Sequence, residues 1–271
     1  MIIGSKDTKI YEPVFQDLDV AEWNGGSILI HSPWGNGKTH LLGDFLRYNQ
    51  QFGPVAYVNF KGEDGYDTIH QLGLGKVRVD VSSYDEWREF LNWAEKKQYQ
   101  AIGYDSLKEA YNLTIDKKLK GAERAPLVGD YKSNEWPDIH SWMRYGMLQS
   151  NRVAQYVMWV CPTDTGKDAM EEIATGITKE KPKLFPDLPG KGSAGAVSWF
   201  KLVGYLFADY AKEGIKRNVD FRPSDRYITR QRMPAKFGGI DKLIPIPKDE
   251  GGWKNILDAI QAAYAKGVKN G

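Results

Sequence analysis

Residues 32–39 read Ser-Pro-Trp-Gly-Asn-Gly-Lys-Thr, and they hold the clearest chemistry in the chain. The spacing is that of a phosphate-binding loop, with Ser32 where the pattern asks for its first glycine. Gly35 and Gly37 let the backbone curl so that its N–H groups face an anion at a helix N-terminus. The expected nucleotide-binding set is Ser32, Pro33, Trp34, Gly35, Asn36, Gly37, Lys38, Thr39 and His40. Within it Lys38 reaches the β- and γ-phosphates, and the Thr39 hydroxyl is a ligand for Mg²⁺.

Such a loop works only between a strand and a helix. Residues 27–31, Ser-Ile-Leu-Ile-His, read as a short buried strand. Residues 39–49 read as a helix with Leu41, Leu42, Phe45 and Leu46 on one side. Further strands are expected at 55–60, 76–81, 101–105 and 155–161, separated by helices at 84–96, 107–119 and 138–150. Ser82 or Ser83 caps the first of these helices and Asp138 the last. This alternation predicts a mostly parallel sheet covered by helices on both faces. Residues 120–137 and 162–195, rich in Gly, Pro and charge, read as long loops. Beyond them, 203–211, 215–221 and 226–233 read as strands that extend the sheet in antiparallel fashion. The first two are joined by a hairpin at 212–214. Residues 253–264 form a terminal helix with Trp253, Ile256, Leu257, Ile260 and Tyr264 on one face.

The metal needs a second carboxylate. Asp105 ends an apolar strand and meets that need, holding the ion through water. Hydrolysis also needs a group that orients water. Glu63 is the first choice and Asp64 the second, both just past the second strand. Thr163 and Asp164, at the end of the last parallel strand, are placed to sense the γ-phosphate. Arg226, Arg230, Arg232 and Lys236 offer cations that could reach a neighbouring subunit's phosphates. His31, His40, His70 and His140 form no metal-ligand pattern. Tyr66, Tyr131 and Trp136, read as loop aromatics, are candidates for stacking on bases.

Composition bounds the rest. At 271 residues and 41% hydrophobic content the chain can build one large α/β domain or two small ones. No apolar run approaches the roughly 20 residues that span a bilayer, so no membrane role is expected. A single cysteine, Cys161, suits a reducing cytoplasm, that of the host if the protein is viral. The net charge of +2 hides an asymmetry. Residues 1–178 carry 19 Lys and Arg against 25 Asp and Glu, and residues 179–271 carry 18 against 10. A basic C-terminal third suits phosphate-bearing partners.

Taken together, the P-loop, Tyr-Val-Asn-Phe-Lys-Gly-Glu closing the second strand, and Ile-Gly-Tyr-Asp-Ser-Leu resemble the RecA-like ATPases of bacteriophages. That group includes single-strand annealing and recombination ATPases. Phe-Pro-Asp-Leu-Pro-Gly-Lys-Gly and Arg-Tyr-Ile-Thr-Arg-Gln-Arg-Met-Pro-Ala-Lys-Phe-Gly are similar to the group as well, so the resemblance covers about residues 25–247. It implies a single RecA-like domain that binds ATP and Mg²⁺, self-associates into a ring or filament, and binds single-stranded DNA. It also implies the Walker B role for Asp105 and a trans contact for Lys236. The chain departs from the group at Ser32 and at Lys61, which stands where such proteins commonly place a catalytic glutamate; Glu63 lies two residues on. Two other functions fit the same motif: a nucleotide-gated assembly protein that touches no DNA, and a nucleotide or small-molecule kinase.

Overall fold

A computed structural model describes residues 23, 25–63, 65–121, 135–164, 184–189, 192–211, 214–233 and 238–269. The elements are β1 (Gly26–Ser32), α1 (Lys38–Gln50), β2 (Val55–Phe60), α2 (Tyr66–Gln71), β3 (Arg78–Val81), α3 (Tyr84–Lys97), β4 (Tyr99–Asp105), α4 (Leu107–Gly121), α5 (Trp136–Val153), β5 (Ala154–Asp164), β6 (Phe185–Pro186), α6 (Gly192–Val197), β7 (Leu202–Ala211), β8 (Gly214–Asp220), β9 (Arg230–Gln231), β10 (Ile244–Ile246) and α7 (Gly252–Lys269).

Six strands run parallel in the order β3-β2-β4-β5-β1-β7. β8 and then β10 extend the β7 side in antiparallel fashion. This is the mostly parallel, helix-flanked sheet with an antiparallel extension that the alternation of elements in the sequence predicts. One apolar core fills the face under α3, α4 and α5, where Trp87, Phe60, Tyr104 and Trp159 pack together. The other lies under α1 and α7, with Phe45 edge-on to Trp253 at 4.8 Å. Burial on both faces explains why the central strands are nearly continuous apolar runs.

Local signals hold where they are strong. The Ser83 hydroxyl accepts from the Glu86 N–H at 3.2 Å, and the Glu86 carboxylate accepts from the Ser82 N–H at 2.7 Å, which starts α3. Four expectations need correction. α5 begins at Trp136 with Pro137 in its first turn, a position whose missing N–H costs nothing, so Asp138 lies inside the helix. β7 is not antiparallel to the core but parallel to β1, with Ile28 beside Leu202 and His31 beside Tyr205. The expected strand at 226–233 shrinks to the two residues of β9 and an isolated bridge at Tyr227. There Asp220 accepts from the Arg222 backbone and guanidinium and from the Tyr227 hydroxyl, and the Thr229 hydroxyl donates to the Arg222 carbonyl. These side-chain bonds hold a loop in place of a ladder. Lastly, the expected 162–195 loop is entered by β5, which runs to Asp164, and it carries β6 and the start of α6.

Candidate functional site

The loop at 33–37 leaves the C-terminal end of β1 and enters α1. Its bend rests on two glycines, Gly35 with φ of 79° and Gly37 with φ of 92°, where L side chains are strained. The substitution of Ser for the first glycine is accommodated because Ser32 is still in the strand. Ser32 is fully buried, and its hydroxyl donates to the Pro33 carbonyl at 3.0 Å. Lys38 turns back over the loop, and its ammonium donates to the carbonyls of Ser32 and Pro33, each at 3.0 Å. The same ammonium lies 5.4 Å from the ring centre of Trp34, a side chain 67% exposed. Burial lowers the Lys38 pKa, and the charge of Asp105 opposes that shift.

β4 and β2 bring the acids to this loop. β5 lies between β1 and β4, so Asp105 approaches from two strands away. The Thr39 hydroxyl donates to Asp105 Oδ2 at 2.9 Å, and the Tyr57 hydroxyl donates to the same oxygen at 3.2 Å. Burial raises the Asp105 carboxyl above the usual carboxylate range, while these two hydrogen bonds and Lys38 pull it down. The paired oxygens of Thr39 and Asp105 are the hard ligands that Mg²⁺ takes alongside phosphates and water. The donor set therefore fits that ion. Among the described residues no cluster of three or more His, Cys, Asp or Glu could hold a metal by protein ligands alone.

Glu63 sits across the same cleft, and Ser106 donates a hydrogen bond to its Oε1. Burial, then the nearby charge of Asp105, raise the Glu63 carboxyl. Lys61 is exposed and does not line the cleft, whereas Glu63 does. The cleft of about 270 Å³ is lined by Trp34, Lys38, Thr39, Glu63, Asp105 and Ser106, among others. Gly65 makes this closeness feasible: a Cβ there would stand 2.6 Å from the Tyr57 hydroxyl and 3.0 Å from Asp105 Oδ2.

Thr163 is buried beside the P-loop strand and bonds to His31 Nδ1 at 3.0 Å. His31 Nε2 lies 2.7 Å from the Ile228 carbonyl, which only accepts, so Nε2 carries the proton. Burial lowers the His31 pKa to about 4, so the ring is neutral at pH 7. Thr163 therefore donates its hydroxyl proton to His31 Nδ1. Arg230 lies in β9 against Val203, and Arg232 follows it, exposed. Neither is among the residues that line the cleft. Asp64, Lys236 and Tyr131 lie outside the described residues, as do the side chains of Tyr66 and Asp164. Tyr66 belongs to α2 and Trp136 to α5, where Trp136 packs at 5.7 Å from the His140 ring and against the core; neither is a loop residue.

No family model matches this sequence, and no curated protein does. Among solved structures the chain is similar to a KaiC-like protein of the hyperthermophilic archaeon Pyrococcus horikoshii. The two are 14% identical over 83% of this chain and 87% of that one, with a TM-score of 0.47. The fold assignment stands on the strand order and on where the loop sits within it.

Sequence reading missed Arg217 of β8, whose Nε donates to the Asn36 carbonyl at 3.1 Å, inside the P-loop. Its signal is a register: β7 runs five residues past Leu206, level with the end of β1, and β8 returns over the loop with Arg217 opposite Ala208. Tyr57 and Ser106 were also missed as ligands of the acids. No described helix is long and apolar enough to cross a membrane.

Proposed function

We propose that this chain is a Mg²⁺-dependent ATPase of the RecA-like type that works as an oligomer on single-stranded DNA, as phage recombination and annealing ATPases do. The observation that carries the enzymatic part is the shared cleft: Lys38, Thr39, Asp105 and Glu63 meet at the C-terminal ends of three strands. Lys38 is bound to lose its loop carbonyls to phosphate oxygens, which accept the same N–H donors and carry full charge. Thr39 and Asp105 would hold Mg²⁺, which would supply positive charge to offset that of the phosphates. Glu63 accepts the proton of a water as its oxygen bonds to the γ-phosphorus and the bond to the bridging β–γ oxygen breaks. Its raised pKa suits a base at neutral pH.

The DNA part rests on the resemblance and on the basic C-terminal third. The deciding measurement is ATP turnover with and without single-stranded DNA. Stimulation by DNA is the expected result. Turnover indifferent to DNA would transfer the protein to the assembly or kinase readings. Lys38→Ala is expected to abolish ATP binding, and unchanged affinity would remove the P-loop from the account.

A further inference from the structure

A second cavity opens on the other flank of the P-loop, away from Asp105 and Glu63. It measures about 300 Å³ and is lined by Arg217, Ile246, Pro247, Lys248 and Asp249, together with Gly37 and His40. Gly37 and His40 line the acidic cleft as well, so the two cavities meet at the first turn of α1. We propose that this cavity takes the nucleoside half of the nucleotide, clamped by Arg217 of the same chain. The inference rests on reading the P-loop as a triphosphate site and deepens it.

A triphosphate whose tail ends between Lys38, Thr39 and Asp105 must leave the loop at the opposite end, past Gly37 and His40. The chemistry waiting there differs from that of the acidic cleft. Ile246 is buried and Pro247 exposed beside it, giving an apolar shelf for the face of a base. Lys248 and Asp249 are exposed at the rim, a donor and an acceptor for sugar hydroxyls or base edges. Arg217 is anchored at Nε by the Asn36 carbonyl, and among the described residues no carboxylate pairs with it. Its remaining N–H groups and its planar face are left to serve a ligand. Gly37 admits this arrangement, since a Cβ there would lie 3.1 Å from Arg217 Nε.

The test compares Mg-ATP with Mg-tripolyphosphate, which has the tail and no nucleoside, by titration calorimetry on the full chain. Pro247→Trp fills the cavity from an exposed position, and Arg217→Met removes the guanidinium but keeps the stem. Each variant is expected to weaken ATP by about tenfold or more, a loss of one good anchoring contact, with tripolyphosphate affinity held within about twofold. Unchanged thermal unfolding confirms that each variant is folded. Full ATP affinity in both variants, or an equal loss of both ligands, overturns the inference while leaving the triphosphate reading intact. A wild-type protein that binds neither ligand defeats the triphosphate reading itself, and Lys38→Ala losing both upholds it.

Discussion

Asp105, buried, and Glu63, half-buried, face the same lysine, and both carboxyls are raised above their ordinary range, yet their hydrogen-bond partners differ. Asp105 accepts from Thr39 and Tyr57, two hydrogen bonds that favour its charged form. Glu63 accepts from one hydroxyl, that of Ser106, and keeps an oxygen for water. Glu63→Gln is therefore expected to cut turnover by about 10²-fold or more, the range for a lost general base, while ATP affinity stays near wild type. Single-turnover and equilibrium-binding measurements separate the two, and a wild-type rate would assign the role elsewhere. His31 gives a prediction in stability. Its pKa falls from 6.5 in the unfolded chain to about 4 in the fold, so between those values the unfolded chain binds more protons. Stability from this group is present above 6.5 and lost as pH falls through that window, by on the order of 3 kcal/mol. Raised carboxyls such as Glu63 act in the opposite sense, so the comparison needs a reference. His31→Gln keeps a donor for Ile228 and an acceptor for Thr163 without titrating. Urea unfolding at pH 7 and pH 4 should show wild type losing about 3 kcal/mol more than the variant. Parallel losses in the two proteins would mean that His31 is not held neutral.

The elements around the site are held by close approach as much as by hydrogen bonds. Gly65, between β2 and α2, passes so near Tyr57, Thr39 and Asp105 that a methyl group has no room. Gly65→Ala should cost about 1–3 kcal/mol of stability from overpacking and also separate Thr39 from Asp105. Thermal unfolding reads the first effect. Weaker Mg²⁺ dependence of ATP binding reads the second, and a variant normal in both would place the backbone elsewhere. The same scale explains what sequence could reveal. β2 and the P-loop helix are legible because their residues satisfy a local rule: a buried apolar run, or Gly-Lys-Thr after a glycine turn. Asp105 is legible as the last residue of an apolar strand, Lys38 and Thr39 as the first residues of the helix after the glycine turn, and Glu63 as an acid just past β2. β7 was misread because an apolar run beside a hairpin signal does not say which neighbour it joins, and β1 claims it in parallel. The strand expected at 226–233 was misread because its alternation is overruled by Asp220, ten residues from Arg230 and in a different element. Arg217 and the cavity beyond it depend on how far one strand outruns another, which no local pattern encodes. β10, three residues long, carries too little periodicity to be seen.

At the scale of the molecule, the sheet separates two kinds of charge. The strands from β2 to β5 belong to the acidic part of the sequence, and β7 to β10 belong to the basic part. The cleft lies where the two meet, since β1 has β5 on one side and β7 on the other. A nucleotide bound there would touch both, and the His31 imidazole does, its two nitrogens joining Thr163 of β5 to Ile228 just before Arg230. Arg230 and Arg232 have like charge and sit two residues apart; burial and then the charge of Arg232 lower the Arg230 pKa, so an anion brought between them gains. If that anion is a DNA backbone, each phosphate contact releases counterions, and single strands lose affinity with a slope of about 0.7 per contact in log salt. Replacing both arginines by alanine should then flatten the salt dependence of single-stranded DNA binding by about 1.4 and weaken binding to every sequence alike. Fluorescence titrations of a labelled oligonucleotide across a salt series measure that slope directly. An unchanged slope with intact DNA binding would move the strand to another surface. A lost slope with ATP turnover still stimulated by DNA would divide gripping the strand from sensing it.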